Sequence, residues 1–316
     1  AGLWCVNIGY GRHELAEVAA RQMKELSYYN TFFQTTHVPA IELAEKLAEL
    51  APFDLNHVFF ASSGSEANDT IIRMVRHFWA LEGKPEKRVI IGREYGYHGS
   101  TIMSASMGGM SGMHDQAADE ADFVHIRPPY GFLHQGNQDD SVFAANAASW
   151  LEDKIIELGA NKVAAFVAEP VQGAGGVIVP QEDYFKRIRE ICDQYEVLLV
   201  ADEVITGFGR TGRMFAMEHS GVEPDILVLS KALSAGLVPV GAVLTTRSIY
   251  DGVFDSLDNC VVPSSTFGQG AYAMAAGLAT LHVFEEEGIV ENSRRMGALL
   301  LEGLKELAGR FELISE

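Results

Sequence analysis

Two short aliphatic runs, each followed directly by polar side chains, constrain the fold of this chain more than any other feature. The first run covers residues 197–201 and the second covers residues 226–229. Aliphatic runs of this length without alternation are typical of parallel strands that are buried on both faces. In open α/β sheets, ligands bind at the carboxyl ends of the strands. The acid Asp202 and the amine Lys231 follow the two runs, so the sequence predicts that both lie at one edge of a sheet.

The wider pattern predicts an α/β protein with a mostly parallel sheet. Short apolar runs alternate with amphipathic segments from residue 57 to residue 245, which is the signature of parallel strands joined by crossover helices. Residues 104–140 are rich in Gly, Met, Pro and Asp, and we expect them to be mostly loop. Two later helical segments, 271–287 and 294–307, indicate the entry to a second domain.

Composition and charge exclude several classes of protein. The formal net charge of −19 at pH 7 argues against nucleic acid or an anionic membrane as a partner. No apolar run approaches the ~20 residues of a bilayer span, and no signal-peptide pattern opens the chain. The three scattered cysteines fit free thiols in a reducing compartment better than disulfides or a zinc site. We therefore expect a cytoplasmic protein. Because the chain begins without methionine and stops soon after a strong helix, we also expect it to be a piece of a longer protein.

Two turns at predicted strand ends have the composition of ligand-binding segments. A Ser-Gly-Ser turn at 63–65 precedes a predicted helix, and the free N–H groups of a helix N-terminus attract anions. Such turns are most often plain N-caps, so this signal is weak by itself. Tyr97 stands near glycines after another predicted strand, where it fits either a ligand-stacking aromatic or a structural turn residue. Neither a P-loop nor a dinucleotide-binding glycine fingerprint occurs.

The carboxylates at strand ends fit more than one chemistry. Glu169 and the pair formed by Asp202 and Glu203 would suit a glycosidase or a divalent metal, and Lys231 alone would be read as a surface lysine. An anion-binding turn, a stacking aromatic, an acid and an amine at one edge fit pyridoxal phosphate better. Its aldehyde needs a lysine, its ring nitrogen an acid and its phosphate backbone donors. We therefore expect this cofactor and no metal site.

Eight stretches of the chain carry a family resemblance. They are GLWCVNIGYGR (2–12), YYNTFFQTTH (28–37), SSGSEANDT (62–70), GYHGST (96–101), EPVQGAGGVIVP (169–180), LLVADEVITGFGRTG (198–212), SKALSAGLVPVGAV (230–243) and SSTFGQG (264–270). In this order they resemble the class III pyridoxal-phosphate-dependent aminotransferases of fold type I. Within that class they are most similar to the ω-amino acid:pyruvate and amine:pyruvate transaminases.

The resemblance implies roles for single residues. Lys231 is expected to form the Schiff base with the cofactor and to move the proton during transfer, and Asp202 to keep the ring nitrogen protonated. A carboxylate on a buried strand would be costly as a lone charge, and a pyridinium partner removes that cost. The other residues implied at the cofactor are Gly64, Ser65, Tyr97, His98, Glu169, Val204 and Thr266. Trp4 and Phe32 match aromatic residues of the substrate pocket.

The same resemblance implies an architecture and a reaction. The expected fold has a large cofactor-binding domain at 31–272, built on a seven-stranded, mostly parallel sheet with flanking helices. Residues 1–30 and 273–316 are expected to belong to a small α+β domain that is only partly present. The expected reaction is ping-pong transfer of an amino group from an ω-amino acid or amine to pyruvate or another keto acid. The expected assembly is a homodimer, or a dimer of dimers, in which Thr266 reaches the phosphate in the neighbouring subunit.

Departures from the family pattern leave alternatives open. Pro263 and the two serines after it precede Thr266 where relatives commonly carry His-Gly, which weakens the assignment to one branch. Ile205 stands where some relatives carry a glutamine, and the carboxylate-binding arginine of many relatives would lie beyond residue 316. A class III aminomutase, racemase or decarboxylase is the alternative function, and a catalytically silent paralogue is a third. The donor, the acceptor and the stereopreference stay open.

Overall fold

The computed structural model describes residues 2–32, 35–116, 121–254, 256, 260–261, 265–311 and 314. The motif residues Phe33, Gln34, Pro263 and Ser264 lie outside this part of the chain. No helix among the described residues is long and apolar enough to cross a membrane. The described part also contains no group of three or more His, Cys, Asp or Glu side chains arranged to hold a metal ion.

One mixed sheet of seven strands forms the centre of the molecule. Its strands are β1 (His57–Ala61), β2 (Val89–Arg93), β3 (Phe123–Ile126), β4 (Val163–Ala168), β5 (Leu198–Asp202), β6 (Ile226–Leu229) and β7 (Gly241–Thr245). The order across the sheet is β1-β7-β6-β5-β4-β2-β3. Every neighbouring pair from β6 to β3 is parallel, whereas β7 runs antiparallel to both β1 and β6. The prediction of an α/β fold with a mostly parallel sheet is confirmed.

The central strands are buried throughout because helices cover both faces of the sheet. All residues of β4, β5 and β6 are buried, as expected of aliphatic runs without alternation. The helices are α1 (His13–Glu25), α2 (Val38–Leu50), α3 (Gly64–Leu81), α4 (Ile102–Met107), α5 (Ser111–His114), α6 (Gly131–His134), α7 (Asp140–Leu158), α8 (Tyr184–Gln194), α9 (Arg247–Phe254), α10 (Ala271–Glu286) and α11 (Ile289–Ala308). One core cluster includes residues of α3 and α9, and the other includes residues of α2, α7, α8 and α10.

One detail of the predicted element pattern is incomplete and another is wrong. Only about half of the described residues in 104–140 are loop, because the range contains the end of α4, α5, the edge strand β3, α6 and the first residue of α7. These elements are short, and a four-residue strand that contains His125 carries little periodic signal. The alternation of strands and helices also stops before residue 245. Only a 3₁₀ turn at Lys231–Ser234 lies between β6 and β7, because an antiparallel neighbour needs no crossover helix.

The two ends of the described chain meet on one side of the sheet, where α1 packs against α10. Helix α11 follows α10 after the left-handed Gly288 and has no buried residue. The domain boundaries at residues 30 and 272 stay a prediction.

Candidate active site

The N-terminus of α3 forms one wall of a cleft at the carboxyl ends of the strands. Ser63 caps the helix, because its Oγ accepts a hydrogen bond from Glu66 N at 3.1 Å, and Glu66 Oε2 accepts one from Ser62 N at 2.9 Å. The amides of Gly64 and Ser65 are the first two of this helix and therefore lack partners within it. The cleft is therefore bordered by a helix N-terminus, the kind of backbone arrangement that attracts anions.

The segment after β2 contacts this helix terminus at Gly99, and any other residue at this position would be strained. Gly99 has a φ of +143°, and a Cβ atom there would lie 2.3 Å from Ser104 Oγ and 2.7 Å from Ser65 Oγ. The close approach lets Ser100 N donate a hydrogen bond to Ser65 Oγ at 3.1 Å. The hydroxyl of Ser65 is therefore held in place beside the helix N-terminus.

Asp202 ends β5 as a buried carboxylate that accepts three hydrogen bonds. Its Oδ2 atom lies 2.8 Å from His98 Nδ1 and accepts a bond from Asn68 Nδ2 at 3.0 Å. Its Oδ1 atom accepts a bond from Val204 N at 3.1 Å. The same Asn68 amide donates to His98 O at 2.6 Å, so the acid and the histidine are fixed relative to each other. A buried carboxyl group with this many donors is held in one orientation.

Lys231 follows β6 in a backbone conformation that residues other than glycine rarely adopt. Its φ is +43°, and Ser230 Oγ donates to Val240 O at 2.7 Å just before it. Burial lowers the pKa of Lys231, although the charges of Asp202 and Glu169 oppose the shift. With a lowered pKa, a larger fraction of the amine is neutral and nucleophilic at a given pH. Strain of this kind at a side chain in a cleft is typical of functional sites.

Glu169 ends β4 and fixes the backbone of the neighbouring loops. Its Oε1 atom accepts a hydrogen bond from Tyr97 N at 3.1 Å, and its Oε2 atom accepts one from Gly173 N at 2.9 Å. The guanidinium of Arg93 donates to its backbone carbonyl. Burial raises the pKa of Glu169, and the nearby His98 opposes that rise. The side chain therefore ties together the ends of β2 and β4 beside the cleft.

These parts surround one cleft with about 410 Å³ of free space that opens to solvent. Its lining includes eight residues singled out from the sequence, namely Gly64, Ser65, Tyr97, His98, Glu169, Asp202, Val204 and Lys231. It also includes Asn68, Gly99 and Ile205. Asn68 is the contact that sequence reasoning missed, although it lies one helical turn after Gly64 in the same motif.

Three predicted residues do not line this cleft within the same chain. Trp4 is half-buried in the N-terminal segment, and the side chains of its neighbours Cys5 and Val6 lie against Gly236. Phe32 is 37% exposed, and Thr266 is exposed. The structure therefore brings together the predicted cofactor residues other than Thr266, and leaves both aromatic residues outside.

Comparison with known proteins decides the family. A family model described as aminotransferase class-III matches residues 1–316. The chain belongs to the class III aminotransferases. This class uses pyridoxal phosphate, and the seven-stranded sheet with its flanking helices is that of fold type I.

Curated relatives within the class include two enzymes of Pseudomonas aeruginosa. The chain is 48% identical over 296 residues to putrescine–pyruvate aminotransferase, covering 92% of this chain and 64% of the relative. It is 40% identical over 323 residues to β-alanine–pyruvate aminotransferase, covering 99% of this chain and 71% of the relative. The chain therefore spans roughly two thirds of the length of the curated relatives that it matches.

Solved structures of class III enzymes superpose closely on the chain. An (S)-enantioselective ω-transaminase from Thermomicrobium roseum matches with a TM-score of 0.94 and 40% identity, covering 98% of this chain and 69% of that chain. The ω-transaminase of Pseudomonas jessenii in complex with PMP also matches with a TM-score of 0.94 and 40% identity, covering 97% of this chain and 69% of that chain.

Proposed function

We propose that this class III protein is a pyridoxal-phosphate-dependent transaminase that transfers an amino group from an ω-amino acid or amine to pyruvate or another keto acid. The observation that carries the proposal is the position of Lys231 and Asp202. Asp202 ends β5, Lys231 follows the end of the neighbouring parallel strand β6, and both line one cleft. The names of two relatives, a putrescine–pyruvate and a β-alanine–pyruvate aminotransferase, support pyruvate as the acceptor.

The residues around the cleft fit pyridoxal phosphate. Gly64 leaves room that a Cβ atom would fill, since that atom would lie 3.2 Å from both methyl groups of Val204. The adjacent helix N-terminus suits a phosphate, and the buried carboxylate of Asp202 suits a protonated ring nitrogen. When bound, the cofactor supplies an aldehyde that condenses with amines and a ring that withdraws electrons. The structurally similar ω-transaminase of Pseudomonas jessenii was solved in complex with PMP.

Each side chain in the cleft has a role in this proposal. Asp202 would hold the proton at the ring nitrogen, with His98 and Asn68 fixing its orientation. Lys231 would hold the aldehyde carbon through Nζ. Once released as a neutral amine, Lys231 would remove a proton from the donor carbon and return one to the acceptor. A positioned general base of this kind typically contributes ~10²–10⁴ in rate.

The remaining residues of the cleft would bind and orient the cofactor. The Gly64 and Ser65 amides would hold the phosphate, and Tyr97 and Val204 would cover the two ring faces. Glu169 would keep Tyr97 in place through its backbone hydrogen bond.

We also propose a homodimer, or a dimer of dimers, in which each cleft is completed by the neighbouring subunit. The Tyr28 and Phe267 rings are 6.1 Å apart in an edge-on arrangement, and His37 Nε2 lies 2.6 Å from Gln269 O. These contacts hold the segment before α2 next to the segment before α10. The exposed Phe32 and Thr266 would therefore enter the partner's cleft together, Thr266 at the phosphate and Phe32 in the substrate pocket.

Two further assignments belong to the same proposal. A cytoplasmic location is supported by the free cysteines Cys5, Cys192 and Cys260. A division into a large domain at 31–272 and a small domain formed by 1–30 and 273–316 is supported by the packing of α1 on α10.

The experiment that tests the function uses purified holoprotein with putrescine or β-alanine as donor. With pyruvate present, we expect one alanine to form for each donor molecule consumed. Without pyruvate, the donor should change the cofactor absorbance in a single step, with no further turnover. Lys231→Ala should abolish turnover, and Lys186→Ala, at an exposed lysine, should not. Donor conversion that needs no pyruvate would instead indicate an aminomutase, racemase or decarboxylase. Cofactor binding without turnover of any donor would indicate a silent paralogue.

A further inference from the structure

Residues 2–12, called here the N-terminal strap, pack against the loop that follows Lys231. A Cβ atom on Gly236, in the loop that follows Lys231, would lie 3.2 Å from Cys5 Sγ and 3.2 Å from Val6 Cγ2. Trp4 therefore stands next to residues that pack directly against the Lys231 loop.

The strap has a strained backbone directly before Cys5 and Val6, the residues that pack against Gly236. Leu3 and Trp4 have φ values of +54° and +61°, a conformation that residues other than glycine seldom adopt. Two consecutive left-handed residues persist only where the surroundings hold them. The local turn supplies part of the support, because Cys5 N and Cys5 Sγ both donate to Gly2 O. The rest must come from contacts outside the strap.

Asn7 makes the central contact between the strap and the body of the protein. Its Nδ2 atom donates to Phe208 O at 2.8 Å, and its Oδ1 atom accepts a hydrogen bond from Arg210 Nη2. Among the described residues, no carboxylate lies within ion-pair distance of Arg210, so the Asn7 amide is a main partner of this guanidinium. Both ends of one side-chain amide are thus used to join the strap to residues 208–210.

Residues 208–210 are themselves a rigid support. Phe208 is 1% exposed, and its ring lies 5.6 Å from that of Phe215. Glu203 closes the loop onto β5: Thr206 Oγ1 and Ala216 N donate to its Oε2 atom at 2.9 and 2.7 Å, and Met217 N donates to its Oε1 atom at 2.9 Å. The anchor of Asn7 is therefore continuous with the strand that ends in Asp202.

The far end of the strap is fastened separately. Arg12 Nε donates to Ile8 O at 2.9 Å, and its two Nη atoms pair with the carboxylate of Glu287 at 2.5 and 2.6 Å. Residues 8–12 thus keep their place without Asn7, whereas residues 2–6 depend on it.

We propose that Asn7 and Arg210 form a clamp that positions Trp4 at the mouth of the cleft, which makes Asn7 a positioning residue for the amine donor. The proposal rests on the proposed function, in which Trp4 lines the substrate pocket. Because the clamp touches neither Lys231 nor Asp202, it acts on donor binding and leaves the proton-transfer step and cofactor binding unchanged.

The kinetic test compares wild-type holoprotein with Asn7→Ala, Arg210→Met and the double variant. We expect each single change to raise the KM for the amine donor about tenfold, with kcat and the cofactor Kd nearly unchanged. The double variant should be no worse than either single one, because both remove the same clamp. Asn7→Asp keeps an acceptor for Arg210 and should retain most of the donor affinity. Asn56→Ala, at an exposed asparagine with a local contact only, is the control.

A second measurement does not depend on activity. Hydrogen exchange of the holoprotein should be about tenfold faster across residues 2–6 in Asn7→Ala than in wild type, with residues 8–12 and the Asn56→Ala control unchanged. Unchanged exchange, an unchanged KM, additive effects in the double variant or a parallel loss of kcat would each overturn the clamp. If wild type turns over no amine, the proposed function fails, and the exchange measurement still decides the clamp. If Asn7→Ala does not fold, Asn7→Asp and Arg210→Met carry the same comparison.

Discussion

His98 Nδ1 lies 2.8 Å from Asp202 Oδ2, and both side chains are at most 3% exposed. The pair joins the end of β5 to the segment after β2, and Asn68 on α3 bonds to both members. Three separate elements thus converge on one carboxylate. This convergence gives the buried Asp202 oxygen atoms hydrogen-bond partners from the protein itself.

Replacing Asp202 with asparagine should keep this geometry and remove the charge. We expect Asp202→Asn to bind the cofactor with an altered absorbance. Its kcat should fall roughly 10²-fold or more, which is the usual loss when a preorganised electrostatic contact is removed from a desolvated site. Steady-state kinetics and absorbance spectra of the holoprotein measure both effects. Asp193→Asn, at a surface acid paired with Arg189, should behave as wild type. Full activity of Asp202→Asn would contradict the role given to the carboxylate.

Gly99 offers a test of the anion-binding corner. A methyl group there would collide with Ser104 Oγ and Ser65 Oγ in a backbone conformation that disfavours side chains. We expect Gly99→Ala to raise the cofactor Kd about 10- to 100-fold, since Ser65 and the helix terminus must shift. Gly112→Ala, where an added Cβ meets nothing within 4 Å, is the matched control. Equal cofactor affinity in the two variants, measured by titration of apoprotein, would rule out this corner as the phosphate site.

Lys87 forms a structural contact far from the cleft. Its amine donates to Val163 O, Tyr195 O and Glu196 O at 3.0, 3.3 and 2.6 Å, and burial lowers its pKa to about 8. Lys87→Met leaves these carbonyls without their donor and should lower the free energy of unfolding by about 1–3 kcal/mol.

Lys84 provides the control for that measurement, because it lies over the same Trp79 ring as Lys87 but is only half-buried. Lys84→Met should change stability by less than about 1 kcal/mol, as for other surface pairs. Denaturant unfolding near pH 7 compares the two variants. Equal losses would show that the three carbonyl contacts of Lys87 contribute nothing beyond its position on the ring.

Glu203 should make stability depend on pH. Burial raises its pKa from 4.5 to about 7 in the folded protein. Between these two values the folded state binds more protons than the unfolded state, so the contribution of Glu203 to stability falls as the pH rises through this window. The fall amounts to about 3 kcal/mol at 1.36 kcal/mol per pKa unit.

Comparison with Glu203→Gln isolates this contribution. From pH 4.5 to pH 7, wild type should lose stability relative to the variant. Above pH 7, the difference in unfolding free energy between the two proteins should stay constant. Chemical denaturation at several pH values measures it. A difference that does not vary with pH would show that Glu203 is ionised in both states across the whole window.

The sequence was most informative where burial is complete. Strands β4, β5 and β6 are continuous aliphatic runs, so both their positions and the polar residues at their ends could be predicted from the chain alone. The direction of β7 could not, because Gly241–Thr245 has the same character whichever way it runs. Only the short connection after Lys231 determines it. Strand β3 escaped prediction because four residues at a sheet edge carry too little pattern.

The site shows the same limit. Gly64, Asp202 and Lys231 stand at element ends, where one-dimensional patterns are clearest. The contact of Asn68 with Asp202 depends on the rotation of α3, and the clamp of Asn7 on Arg210 joins residues about 200 positions apart. Neither leaves a periodic signal. In the proposed dimer, Phe32 and Thr266 serve the partner's cleft, and no pattern within one chain encodes such an arrangement.

The most direct test of the central claim is to find which lysine carries the cofactor. Holoprotein treated with borohydride and digested should yield one pyridoxyl-labelled peptide, with the label on Lys231, and Lys231→Ala should yield none. A label on any other lysine, or no label on wild type, would contradict the account.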